Sequence, residues 1–192
     1  TKHLLPPKSS NEEFEMVHEM DMEKHLGTSC FRQLMMLLCS QQEAMCYNDD
    51  LPLTGHFISY RGSTVNWCPI GRNANNTQRQ KFVEIDNSTS PTLRQKGMDK
   101  IKYKINLRCP KDVMVALGGE TSFDIYPNGW DKTYALKHFP NHTCWFVGDR
   151  CDQGGNDKEI YDLLKQQDRG FWVKNTEDTV DVIMKNIIPR LK

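Results

Sequence analysis

Behind Thr28 or Ser29 as N-cap, apolar residues recur at helical spacing through Phe31, Leu34, Met35, Leu38 and Cys39, which predicts a helix from Ser29 to about Met45 with one face on a sheet. Ahead of it, Thr1 to Met22 mixes Pro6-Pro7, Ser9-Ser10 and acidic residues with little periodicity, the pattern of an extended or weakly ordered leader. Further on, Phe57 to Arg61 and Thr64 to Cys68 are strand-like runs joined by Gly62-Ser63, a connection that closes a β-hairpin through the positive backbone angle glycine permits. Two helices are predicted next, near Thr77 to Ile85 and from Pro91 to about Lys104, the second with Ser90 as N-cap and Pro91 at its first position. Val113 to Leu117 and Thr121 to Tyr126 then read as strands that turn at Gly118-Gly119, giving β-β-α-α-β-β after the leading helix.

The last third alternates differently. Asp131 to Phe139 is predicted helical, Thr143 to Val147 an apolar strand, Gly155 to Leu164 helical, Gly170 to Val173 a short strand, and Thr176 to Ile188 a helix capped by Thr176. Such alternation implies parallel pairing and a Rossmann-like core, here with fewer strands than a complete domain of that type. The fold class is α/β, an antiparallel unit followed by a partial parallel one.

At 192 residues the chain is long enough to bury about 70% of its unfolded surface without staples. Its 25 basic and 25 acidic residues give zero formal net charge, which argues against a nucleic-acid or anionic-membrane surface and leaves anion binding to a local cluster. Seven cysteines form no C-x-x-C pair and several lie in apolar runs, so they read as free thiols of a cytoplasmic protein. No secretory signal precedes the sequons at Asn75, Asn87 and Asn141, and the longest apolar run, Leu34 to Cys39, is too short to span a membrane. His138 and His142 are separated by Pro140, which breaks the helix that would align them, so they read as surface residues and not as a zinc pair.

The densest chemistry lies in Gly148-Asp149-Arg150 and Gly154-Gly155-Asn156-Asp157, where carboxylates and a glycine-rich turn follow the strand Thr143 to Val147. Carboxylates at the carboxyl end of such a strand can bind a hard cation, although Gly, Asn and Asp also crowd ordinary turns. Upstream, Gly118-Gly-Glu-Thr-Ser-Phe-Asp-Ile-Tyr-Pro-Asn-Gly-Trp-Asp-Lys132 and Tyr60-Arg-Gly-Ser-Thr-Val-Asn-Trp-Cys-Pro-Ile-Gly-Arg72 stand at a definite order and spacing, with Gln78-Arg79 to Asp86 after the latter. Together with the closing Asn175-Thr-Glu-Asp-Thr179, these segments resemble the eukaryotic-type phosphomannomutases of the haloacid dehalogenase superfamily, from about Phe57 to the end.

The resemblance implies a substrate-binding cap over 53–128 and part of a haloacid dehalogenase-like core over 129–192, after a leader over 1–27 and a joining helix over 28–52. It implies that Arg61, Arg72 and Arg79 bind a substrate phosphate, a task suited to the planar guanidinium fork, and that Ser122 and Asp124 contact the hexose. Alternation along the strand puts those two on one face, whether toward ligand or water. By the same resemblance Lys132 stabilises the transferring phosphoryl group, and Asp149 and Asp157 serve a Mg2+ site. Arg150 departs from the lysine of the family pattern. Mannose 1-phosphate or mannose 6-phosphate is the implied ligand, in the supply of GDP-mannose, with a homodimer through the cap as a further implication.

One departure bears on activity. The superfamily's D-x-D-G-T strand, which carries the aspartate nucleophile and the acid/base, is absent, and no D-x-D occurs in these residues. The chain reads as a family member whose opening segment is missing or replaced by the leader, and little or no mutase turnover is expected of it. A non-catalytic phosphosugar-binding or dimerising relative and a cap-type phosphosugar phosphatase are the competing readings. The P-I-G-R and S-F-D-x-x-P-x-G-W-D-K runs favour the mutase branch over the phosphatase.

Overall fold

Asp21 begins the first compact helix: its carboxylate accepts from the Lys24 amide at 2.9 Å and caps α1, Met22–Leu26, which ends where Gly27 adopts φ 85°. The longer α2, Thr28–Cys46, starts immediately after. The computed structural model describes residues 2–5 and 15–191. Of the leader, β1 (Lys2–Leu5) and β2 (Glu15–Glu19) pair antiparallel; its remaining residues before Glu15 lie outside those described. The short helix α1 was not foreseen, because five residues hold too little periodicity to register.

The central sheet comprises β3 (Ile58–Tyr60), β4 (Val65–Trp67), β5 (Val113–Gly118) and β6 (Ser122–Pro127), antiparallel in the order β3-β4-β6-β5. Alternation sorts its residues cleanly. Val65, Trp67, Val113, Val115, Phe123 and Ile125 point into a core closed by α1, α2 and α4 (Leu93–Asn106), with Trp67 stacked on Phe123 at 4.8 Å. Asn66, Ser122 and Asp124 occupy the alternate positions and face the opposite side. Helix α3, Asn76–Asn87, closes a smaller core of Leu51, Cys68, Ile70, Ala74 and Phe82.

The cap of α4 differs from the expectation. Thr92 and Gln95 form a capping box, so the helix begins after Ser90-Pro91. Three residues beyond Ser90 stands Leu93, which has no side-chain acceptor to reciprocate. The cysteine expectation also needs correction. Cys30, in the first turn of α2, and Cys109, just beyond α4, form a disulfide across 79 residues with Cα atoms 5.3 Å apart, a proximity that spacing along the chain does not reveal.

In the last third, β7 (Phe146–Gly148) and β8 (Gly170–Trp172) pair in parallel, with α5 (Lys158–Lys165) between them in sequence and packed on both. The helix expected over 131–139 is a 3-10 helix, Lys132–His138, capped by Asp131 and followed by Pro140. Thr143 to Trp145 lie outside the strand, and α5 starts after a turn in which the Gly155 amide donates to the Asp152 carbonyl. Helix α6, Thr176–Val182, is capped by Asn175 in place of Thr176, since the Asn175 side chain reaches the Asp178 amide at 2.8 Å; it continues as a π-turn and a 3-10 turn to Arg190. Among the described residues no helix is long and apolar enough to cross a membrane.

Candidate functional site

The open face of the antiparallel sheet supplies the floor of a polar cavity of about 270 Å³. Arg61, Arg72, Arg79, Ser122 and Asp124 all line it, so the five residues singled out for phosphate and sugar contact are brought together. Arg61 follows β3 at the hairpin turn, where its amide donates to the Thr64 carbonyl at 2.9 Å and Gly62 takes φ 76°. Arg72 leaves the tight loop after Pro69-Ile70-Gly71. Gly71 is at φ 87°, and a Cβ there would lie 2.1 Å from the Gly55 carbonyl oxygen, so the loop that aims Arg72 tolerates only glycine. Arg79 stands in the first turn of α3 and is fixed by three donations, to the carbonyls of Ala74 (3.0 Å) and Arg72 (3.2 Å) and to Thr121 Oγ1 (3.4 Å).

Asn66 connects the two halves of this cavity. Its side-chain oxygen accepts from Arg72 Nη1 at 2.7 Å, while its nitrogen donates to Asp124 Oδ1 at 2.8 Å and lies 3.2 Å from both Ser122 Oγ and the Phe123 carbonyl oxygen. Ser122 Oγ donates to the Gly118 carbonyl at 2.6 Å. The turn before it is braced from behind. Buried Asp86 accepts from the Arg94 amide and from Arg94 Nε, both at 2.7 Å, and Arg94 Nη1 donates to the Gly119 carbonyl at 3.0 Å. Sequence reasoning missed Asn66 as a site residue. The signal was present, since an asparagine between Val65 and Trp67 is a poor choice for a buried strand unless its amide is used.

Beside this cavity, and sharing Arg61 and Asp124 with it, is a larger cleft of about 490 Å³ whose walls include Tyr126, Trp130, Tyr134 and Phe146. Burial pushes the Tyr126 phenol well above its ordinary pKa, with the charges of Glu159, Asp131 and Asp124 adding to the effect, so it remains a neutral donor at any working pH. Lys132 and Asn156 reach the same cleft, which lies between the sheet face and the start of α5. The two parts of the chain also meet at the β5 edge of the sheet, where the Leu117 amide donates to the Gly154 carbonyl at 3.2 Å.

Asp157 is buried beneath the glycine-rich turn, where it is ion-paired with Lys132 and accepts from the Arg150 amide at 3.2 Å. Asp149 lies elsewhere, in a cleft at the carboxyl ends of β7 and β8 that it shares with Lys174, Asn175 and Thr176. Among the described residues no three His, Cys, Asp or Glu side chains cluster to hold a metal ion. Mg2+ favours octahedral oxygen coordination, and with both Asp157 oxygens engaged, the arrangement of Asp149 and Asp157 seen here does not fit it.

Residues 9–189 match the family described as eukaryotic phosphomannomutase. The match therefore reaches into the leader, well before the start near Phe57 expected from the motifs. Among curated relatives, a phosphomannomutase of Encephalitozoon cuniculi is 38% identical over 145 residues, 72% of this chain and 54% of the relative. One from Galdieria sulphuraria is 34% identical over 173 residues, 88% and 64% respectively. A third, from Drosophila melanogaster, is 38% identical over 142 residues, 71% and 54%. Between half and two-thirds of each relative's length is thus spanned.

Proposed function

The chain belongs to the eukaryotic phosphomannomutase family, and from that premise we propose that it binds a hexose phosphate, mannose 1-phosphate or mannose 6-phosphate, in the arginine-lined cavity. The observation that carries this reading is the convergence of Arg61, Arg72 and Arg79 with Ser122 and Asp124 around one space. Three guanidinium groups supply donors and charge for a phosphate, and the carboxylate accepts only from donors, as sugar hydroxyls are. The aromatic walls of the adjoining cleft suit the apolar face of a sugar ring.

Interconversion of the two mannose phosphates, in the supply of GDP-mannose, is the activity we assign to the whole protein of this family type. Within it, this chain's residues bind and orient: the arginines hold the distal phosphate, and Lys132, at the edge of the aromatic cleft, places a cation near the other end of the ligand. No step is assigned to Mg2+, and the 192 residues contain no D-x-D pair to act as nucleophile and acid/base. Isothermal titration with mannose 1-phosphate tests the binding. Arg72→Ala should weaken it by about 1.5–3 kcal/mol, the range for hydrogen bonds to charged groups. Equal affinity in the variant, or no binding by the parent chain, removes the assignment. These residues alone should show little or no turnover of mannose 1-phosphate with a hexose bisphosphate activator, and conversion at an ordinary enzymatic rate would overturn that expectation.

A further inference from the structure

Arg72 and Asp124 carry opposite charges on the wall of one small cavity, yet they are not paired with each other. Each instead bonds to the same residue, buried Asn66, which accepts from the guanidinium at 2.7 Å and donates to the carboxylate at 2.8 Å. We propose that Asn66 is a positioning residue that keeps the anion-binding and hydroxyl-binding arms of this cavity apart, holding each by the one polarity that leaves its other hydrogen-bonding sites for the ligand. This rests on the reading of the cavity as a hexose phosphate site and goes further by naming what sets its internal polarity.

The physical case has three parts. A free carboxylate and a free guanidinium in one desolvated space attract strongly and would close into a bidentate pair, which would consume the donors needed for phosphate. An amide is neutral and two-sided, so it can hold both without a net charge of its own. Asn66 cannot easily turn to serve them differently, because its nitrogen also lies 3.2 Å from Ser122 Oγ and the Phe123 carbonyl, both acceptors on that side. The amide oxygen is therefore committed to Arg72.

Asn66→Asp is the discriminating substitution, since it is isosteric and changes only the charge and hydrogen-bonding polarity of the side-chain end. Ionised, the new carboxylate still accepts from Arg72 but opposes Asp124 and the ligand phosphate; two carboxylates in such contact share a proton as the pH falls, and the protonated form donates as the amide did. The other ionisable groups facing this cavity are Arg61, Arg79, Glu120 and the Cys68 thiol, and Tyr126 lies near Asp124. All of these are common to parent and variant, as is the titration of the ligand's own phosphate. The ratio of their dissociation constants for mannose 1-phosphate therefore isolates residue 66.

That ratio should be tenfold or more at pH 8 and fall to threefold or less at pH 5. The exchange Asn66→Asp with Asp124→Asn in the same chain restores one carboxylate and one amide, and should give a ratio that does not vary with pH. A flat ratio for the single variant, with the parent binding normally, overturns the role of Asn66 and leaves the binding site standing. Failure of the parent to bind mannose 1-phosphate overturns both. If the single variant does not fold, the exchange variant decides: a ratio that still varies with pH counts against the proposal, and a flat one supports it.

Discussion

On the antiparallel sheet Val65, Trp67, Phe123 and Ile125 are at most 1% exposed, whereas on the parallel pair Trp172 is 53% exposed and no residue of α6 is buried. Both regions pair apolar strands with helices, so the difference lies in coverage. Three helices close one face of the antiparallel sheet, and its other face is the polar floor of the cavity. Parallel sheets are ordinarily covered on both sides, yet no residue of β7 is fully buried and Val180, Ile183, Met184, Ile188 and Leu191 leave an apolar stripe at the surface. The arginines, Ser122 and Asp124, proposed to hold the phosphate and the sugar, are thus carried by the region that encloses its own core. Lys132, Asp149 and Asp157 are carried by the region that encloses much less.

The widest separation between the two should come from breaking the Cys30–Cys109 disulfide, which lies wholly within the first region. Closing a loop of this length is worth about 4.5 kcal/mol in the chain-entropy account. Reduction should lower the melting temperature and raise amide exchange in α2 and α4 first. Identical melting with and without reductant would deny that the clamp matters. Next in size, Phe123→Ala removes a buried ring stacked on Trp67 and should cost about 4 kcal/mol, while Phe146→Ala, at a half-buried position of β7, should cost about 1 kcal/mol. Equal losses in urea unfolding would erase the comparison. Limited proteolysis sharpens it: a protected fragment overlapping 53–117 is expected, with early cuts after 130.

What could be read from the chain alone follows the same division. The hairpin, the helix after Thr28 and the strands around Gly118-Gly119 were legible because each depends on neighbours in sequence, whereas the phosphate-binding role of the arginines was implied by the resemblance. Asn66, the Asp86–Arg94 brace and the Cys30–Cys109 bond were not, since their meaning comes from partners that only the folded sheet brings close. The expectation of a metal site at Asp149 and Asp157 came from carboxylates beside a glycine-rich turn after a strand, and from the resemblance. Nothing in the spacing of those two residues indicates that Asp157 is engaged by Lys132.

The smallest effect concerns two buried free thiols, Cys68 in the first region and Cys151 in the second. Burial pushes the Cys151 thiol up to about 11, with Asp157, Asp149 and Asp152 adding and Lys132 opposing. The folded chain therefore keeps a proton that the unfolded chain releases above about pH 9, so this residue's contribution to stability is intact below pH 9 and declines between about 9 and 11. At pH 8 a thiol with this pKa has on the order of one-hundredth the thiolate of an ordinary cysteine and should react slowly with iodoacetamide in the closed state. Exposed Cys39 and Cys46 should label first, followed by half-buried Cys144. If the parallel region opens more readily, Cys151 should label next, ahead of Cys68 in spite of its raised pKa, because brief exposure restores ordinary reactivity. Mass spectrometry that finds Cys68 labelled before Cys151 would place the more readily opened core in the antiparallel sheet and reverse the comparison.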